Sequence, residues 1–136
     1  MHFDVKLIVY VVMTRKQINA KWPNAVATRS GLKYIITKKG CGEATPQKGQ
    51  KIVAHYTGKL LDGTIFDSTV DRNEPIETSV GLGGVIKGCD EAFAQMRKGE
   101  QRTLIVPPEL AYGETGIYDF IPSNATLVFD VELLDF

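Results

Sequence analysis

The sequence predicts an α+β domain in which an antiparallel sheet of about five strands packs on one short helix. Two patterns carry this prediction. Residues 125–136 alternate between apolar and polar side chains, the period of a strand with one buried face. Residues 87–98 instead carry their apolar side chains at helical spacing. The apolar face of this helix consists of Cys89, Ala92, Phe93 and Met96.

Short β-branched or apolar segments between turn residues predict the individual strands. The predicted segments are 32–38, 51–60, 64–69, 75–80, 100–106 and 125–136. The Asp62-Gly63 pair is a tight-turn signal, so the second and third segments should form a hairpin. Polar residues 70–74 are expected to form a loop.

The helix has the charge pattern that its dipole favours. Asp90 and Glu91 fall in the predicted first turn, and Arg97 and Lys98 fall in the last. Gly99 follows at the position where a left-handed cap is common.

Composition excludes several function classes. The 136 residues suit one domain, and 16 basic residues balance 16 acidic ones, so no nucleic-acid partner is expected. Two cysteines do not make a disulfide framework. The sequence contains no Cys-x-x-Cys, His-Glu-x-x-His, phosphate-loop or Gly-x-Ser-x-Gly motif, so neither a metal nor a cofactor is expected.

Residues 1–30 are expected to be an extension or linker, with a short helix or linker over 14–30. The apolar run from Leu7 to Met13 is shorter than the roughly 20 residues of a membrane-spanning helix. It lacks the positive start of a secretory signal, so cytoplasmic residence is preferred to a periplasmic or secreted one. Two interpretations stay open: an added strand, through which an oligomer could assemble, or an extension before a natural start at Met13.

Nine short motifs follow one another in the second part of the chain. They are Gly49-Gln50, Ala54-His55-Tyr56-Thr57-Gly58, Leu61-Asp62-Gly63, Phe66-Asp67-Ser68, Asp71-Arg72-Asn73, Val85-Ile86-Lys87-Gly88, Pro107-Pro108-Glu109-Leu110-Ala111-Tyr112-Gly113, Ile121-Pro122 and Ala125-Thr126-Leu127-Val128-Phe129-Asp130-Val131-Glu132-Leu133. In this order they resemble the FKBP-type peptidyl-prolyl cis-trans isomerases, or immunophilins.

The resemblance covers residues 31–136 and implies a five- to six-stranded half-barrel sheet wrapped around one short helix. It also implies isomerase activity in protein folding, with no cofactor. The expected partners are X-Pro-containing polypeptides and the macrolides tacrolimus and rapamycin, with neither nucleic acid nor membrane. We expect a monomer.

The resemblance also implies a pocket between helix and sheet. Its expected catalytic residues are Tyr56, Asp67, Tyr112 and Phe129. Its expected substrate-binding residues are Phe66, Arg72, Ile76, Val85, Ile86, Cys89, Phe120 and Ile121.

The Tyr112 hydroxyl and the backbone N–H of Ile86 are expected to donate to a substrate carbonyl. Asp67 would sit beside the twisted carbonyl carbon or bond Tyr56, and Arg72 would pair with Asp67. From the residues alone, the same side chains suit an ordinary core and a surface ion pair.

Two departures from the family pattern bear on function. Cys89 stands where many family members carry a tryptophan at the pocket floor, so we expect a deeper pocket or a floor filled by a neighbour. Residues 116–120 also differ and add Tyr118 and Phe120, which predicts altered substrate selectivity. An alternative function is a proline-peptide-binding, chaperone or adaptor module with little activity.

Overall fold

A computed structural model describes residues 13–136, so the added strand that is one interpretation of the segment before Met13, over residues 5–11, lies outside the described residues. The described part contains two α-helices, a 3₁₀ turn at Pro108–Leu110 and a seven-stranded sheet. The helices are α1 (Arg15–Lys21) and α2 (Lys87–Phe93). The strands are β1 (Val26–Ala27), β2 (Lys33–Lys38), β3 (Lys51–Lys59), β4 (Ile65–Ser68), β5 (Ile76–Ser79), β6 (Gln101–Val106) and β7 (Leu127–Asp135). None of the helices among residues 13–136 has the length and apolar character needed to cross a membrane.

All strand pairs are antiparallel, in the order β1-β2-β6-β7-β3-β4. Strand β5 also pairs with β3, opposite residues 51–54, whereas β4 pairs opposite residues 57–59. Since β7 occupies the other edge of β3, β4 and β5 share one edge and are separated by the polar loop that was expected there. The two-residue β1 raises the strand count above the five or six expected.

The predicted hairpin between β3 and β4 is present. Gly63 has a φ of 92° and donates its N–H to the Leu60 carbonyl, while the Leu60 N–H bonds Thr64. The Asp62 carboxylate accepts the Thr64 N–H at 2.8 Å. This bond lowers the pKa of Asp62 and fixes the turn that glycine makes possible.

The core lies between α2 and one face of the sheet. The predicted helix face is buried there, and so are the alternate β7 residues Leu127, Phe129, Val131 and Leu133. This arrangement is the expected α+β packing of one helix on a sheet.

Helix α2 ends earlier than the sequence predicts. After Phe93, the Gln95 N–H donates to the Ala92 carbonyl and the Met96 N–H donates to the Phe93 carbonyl. These are i to i−3 hydrogen bonds of a tighter turn. Arg97 and Lys98 therefore lie beyond the helix and not in its last turn. The tighter turn still carries Met96 into the core, and Gly99 has the predicted left-handed φ of 82°.

Local signals define the structure of residues 14–30. A capping box between Thr14 and Gln17 starts α1, which ends two residues before Pro23. Strand β1 then pairs with β2 and forms the outer edge of the sheet. The boundary expected at residue 31 stays a prediction, with this short strand on its N-terminal side.

Candidate functional site

A cavity of about 160 Å³ opens between α2 and the sheet. Its walls come from three strands, from the segment that enters α2, from α2 itself and from the loop after the 3₁₀ turn. The lining residues are Tyr56, Phe66, Asp67, Gly84, Val85, Ile86, Cys89, Phe93, Tyr112 and Phe129.

Three aromatic rings from adjacent strands form one wall of the pocket. The Phe66 and Phe129 rings meet edge to face with centroids 5.6 Å apart, and Tyr56 packs on Phe129 at 6.0 Å. Gly58 of β3 makes this contact sterically possible. A Cβ atom there would lie 2.5 Å from Phe66 Cζ and 2.8 Å from Phe129 Cε1.

A chain of polar side chains joins the aromatic wall to the surface. The Tyr56 hydroxyl donates to Asp67 Oδ2 at 2.5 Å, and Arg72 forms an ion pair with Asp67 Oδ1. Partial burial opposes ionisation of Asp67, but the bonds from Tyr56 and Arg72 outweigh it and lower its pKa. Burial and the bond to Asp67 raise the pKa of Tyr56. Asp67 is therefore a fixed carboxylate at the pocket edge.

Several hydrogen-bond donors of the pocket lining have no acceptor within residues 13–136, and two of them were expected from the sequence to bind a substrate carbonyl. These two are the Tyr112 hydroxyl and the backbone N–H of Ile86, the residue that precedes the first turn of α2. Burial is the main cause that raises the pKa of Tyr112, so its hydroxyl keeps its proton. Both groups can donate to a carbonyl oxygen of a bound molecule.

The floor of the pocket consists of Cys89 and Phe93, four residues apart on α2 and both buried. Burial raises the pKa of the Cys89 thiol far above its usual value, and the Asp90 carboxylate adds to this effect. The thiol is therefore a neutral, apolar part of the floor.

The other sequence-predicted site residues lie outside the lining. Arg72 lies outside the lining and forms an ion pair with the lining residue Asp67. Ile76 lies on β5, where it pairs with Ala54 of β3 and packs against the core. Ile121 is buried in the core and bridges Ile117.

Phe120 is 62% exposed at the tip of its loop. The Phe120 N–H and the Ile121 N–H both bond the Ile117 carbonyl, and Asp119 has a φ of 65°. This tight turn leaves the Phe120 side chain in solvent and not against the pocket.

Two lining residues were not singled out as site residues from the sequence, Gly84 and Phe93. Phe93 belonged to the predicted apolar helix face, one turn after Cys89, and this spacing was the signal that could have identified it. Gly84 contributes backbone only, and a Cβ atom there would overlap the Thr78 hydroxyl.

The profile of FKBP-type peptidyl-prolyl cis-trans isomerases matches residues 42–134. A relative from Aspergillus fumigatus, FK506-binding protein 1A, is 48% identical over 104 residues, 76% of this chain and 93% of its own. The peptidyl-prolyl cis-trans isomerase Fkbp12 of Drosophila melanogaster is also 48% identical, over 76% of this chain and 96% of its own.

Solved structures share the fold. AtFKBP13 superposes with a TM-score of 0.75 and 39% identity, covering 81% of this chain and 96% of its own. FkpA from Escherichia coli gives a TM-score of 0.77 and 41% identity, covering 88% of this chain and 56% of its own. These superpositions confirm the half-barrel fold expected from the sequence.

Proposed function

The chain belongs to the FKBP-type peptidyl-prolyl cis-trans isomerase family and is an isomerase of X-Pro bonds, and we propose that the pocket between α2 and the sheet is its active site. The observation that carries the proposal is the combination of an apolar floor and aromatic wall with two donors, the Tyr112 hydroxyl and the Ile86 N–H, that have no acceptor within residues 13–136.

Isomerisation requires rotation about a partial double bond and no covalent step. The barrier is about 18–20 kcal/mol, and unaided rotation takes tens to hundreds of seconds. At the twisted midpoint the amide loses resonance and its carbonyl becomes less polar. Because water solvates the planar amide better, a pocket that excludes water and fits the twisted form lowers the barrier.

Each part of the pocket supports one requirement of this mechanism. The Phe66, Phe129 and Tyr56 rings, with the floor, provide an apolar site for the proline ring. The Tyr112 hydroxyl and the Ile86 N–H can hold carbonyl groups of the peptide, which fixes its orientation. Asp67 keeps Tyr56 in place or lies beside the twisted carbonyl carbon.

The same pocket suits macrolide ligands. The Aspergillus fumigatus relative at 48% identity is named for binding FK506, which is tacrolimus. We expect this chain to bind tacrolimus and rapamycin with altered affinity, since Cys89 and Phe93 form its floor. A monomeric state, cytoplasmic residence and altered selectivity from the Tyr118 and Phe120 loop stay predictions.

Protease-coupled isomerisation of a Leu-Pro and an Ala-Pro tetrapeptide tests the proposal. Asp67→Ala is the test variant, and Asp71→Ala is its control. Asp71 is an exposed residue of the loop that follows β4, and its carboxylate makes no hydrogen bond within the described chain. We expect catalysis by the wild type, inhibition by tacrolimus, a loss in Asp67→Ala and full activity in Asp71→Ala.

The alternative outcomes separate the functions. Catalysis that tacrolimus does not inhibit would support the isomerase function and indicate that the floor of the pocket prevents macrolide binding. Folded protein that binds an X-Pro peptide or tacrolimus but accelerates neither substrate would favour the binding-module function. Equal losses of activity in Asp67→Ala and Asp71→Ala would show that Asp67 has no specific role in the mechanism.

A further inference from the structure

The segment of residues 81–86, here called the glycine loop, forms one side of the pocket. Its last three residues, Gly84, Val85 and Ile86, belong to the lining. Gly81 and Gly83 have φ values of 80° and 76°, which glycine adopts without steric cost. Glycine also has the most conformational freedom to lose, so the loop needs external contacts to hold one conformation.

Asp90 of α2 supplies such contacts at three places in the loop. Its Oδ1 accepts the Gly81 N–H at 2.7 Å, and its Oδ2 accepts the Gly83 N–H at 3.2 Å. Its own backbone N–H donates to the Ile86 carbonyl at 3.0 Å. The bonds to the carboxylate are charge-assisted and therefore stronger than neutral ones.

The glycine loop also lies close to strand β5 at Gly84 and close to the turn before β3 at Gly81. A Cβ atom on Gly84 would overlap the Thr78 hydroxyl, and one on Gly81 would lie 2.9 Å from Lys48 Cγ. The loop thus lies between β5 and Asp90. Of these two contacts, the one made by the Asp90 carboxylate can be removed by a conservative substitution.

We infer that Asp90 is a positioning residue for isomerisation, which holds the glycine loop so that the Ile86 N–H is available to the substrate. The inference rests on the proposed function, because the Ile86 N–H is assigned there to a peptide carbonyl. Asp90 itself lies outside the pocket lining and acts through the loop.

This role has a kinetic signature. Without the carboxylate, the free protein samples other loop conformations, and a substrate binds only the fraction with the loop in place. Bound peptide then provides a carbonyl for Ile86 and restores the loop. KM should rise while kcat stays nearly unchanged, whereas partial unfolding would reduce the active fraction and lower the apparent kcat.

The test compares Asp90→Asn and Asp90→Ala with Glu91→Gln. Glu91 carries the same charge on the same helix, but its carboxylate accepts bonds from Thr28 and Ser30 and none from the loop. We expect KM for a Leu-Pro peptide to rise about tenfold in Asp90→Ala and less in Asp90→Asn. We expect kcat to stay within about twofold in both, and Glu91→Gln to keep the wild-type KM.

Amide NMR spectra of the free proteins provide a second readout. The Gly81 and Gly83 N–H signals should shift in both Asp90 variants and stay in place in Glu91→Gln. Unchanged KM in both Asp90 variants, or an equal rise in Glu91→Gln, would overturn the inference. If the wild type lacks activity, the proposed function fails, and unshifted Gly81 and Gly83 signals in Asp90→Asn would separately show that Asp90 does not hold the loop.

Discussion

The Cys89 thiol and the Phe93 ring lie one helical turn apart on α2, and together they form the floor of the pocket. Phe93 has no exposed surface, and Cys89 is 3% exposed. The small side chain at position 89 is therefore accompanied by a large one at position 93. We interpret the pair as one packing unit in which the phenylalanine ring contributes the volume that a tryptophan at position 89 would provide.

The first prediction tests this packing unit. Cys89→Trp should destabilise the protein by about 1–3 kcal/mol, because the added rings meet a space that Phe93 already occupies. Phe93→Val in the same chain should recover much of that loss, since the total volume of the floor is then closer to the original. Urea unfolding of the two single variants and the double variant gives the coupling energy. Additive effects would contradict the interpretation.

The floor also illustrates which parts of the site the sequence could predict. Helical spacing was sufficient to place Cys89 and Phe93 on one buried face, and the motifs marked the residues of the aromatic wall. The pattern did not distinguish a core side chain from a pocket side chain, because both are apolar and inward. That distinction depends on the space left between elements, which is a property of the packed fold.

Loop directions and helix ends were also difficult to predict from local patterns. Phe120 belongs to a loop whose direction is set by hydrogen bonds to Ile117 and by the positive φ of Asp119, and neither has a strong sequence signal. The early end of α2 results from i to i−3 bonds after Phe93, although the apolar spacing continues to Met96. Local patterns predicted which elements exist, whereas loop directions and helix ends depended on tertiary contacts.

The second prediction concerns Gly58, whose missing side chain lets Phe66 and Phe129 meet. Gly58→Ala should destabilise the protein by about 1–3 kcal/mol and reduce kcat/KM, because its Cβ would displace both rings. Thr57→Ala is the control, since its hydroxyl bonds Ser68 and not the pocket. The control should lose about 1 kcal/mol of stability and keep its activity. Equal kcat/KM in Gly58→Ala and the wild type would show that the ring positions are not required.

The third prediction uses the pKa of Asp67. Burial alone would raise the pKa of Asp67 above its ordinary value of 3.8, but hydrogen bonds from Tyr56 and Arg72 outweigh burial and lower the pKa in the folded protein below that value. A depressed folded pKa means that the ionised carboxylate stabilises the folded state above the unfolded pKa. This contribution is lost as the pH falls through the folded pKa. The wild type should therefore lose stability relative to Asp67→Asn between about pH 5 and pH 2.

Urea midpoints of both proteins across this pH range provide the measurement. The urea midpoint of the wild type minus that of Asp67→Asn should be constant near neutral pH and should decrease on acidification. A difference that grows as the pH falls would mean that the folded pKa of Asp67 is raised and not lowered.

The fourth prediction concerns a buried ion pair outside the pocket. Arg102 and Glu100 have side chains only 6% and 5% exposed, and Arg102 also stacks on Tyr34 and donates to the Gln95 carbonyl. Removing one partner leaves an uncompensated charge in the core, which costs about 3–5 kcal/mol. Arg102→Met should therefore lower stability strongly, although methionine fills much of the same space.

A double variant separates the charge from the packing. Arg102→Met with Glu100→Gln removes both charges, so it should be more stable than Arg102→Met alone. The Glu100 carboxylate also accepts the Arg97 N–H at 3.2 Å, and glutamine keeps an oxygen for that bond. If the double variant is less stable than Arg102→Met, the destabilisation arises from lost packing on Tyr34, and the unpaired Glu100 charge contributes little to it.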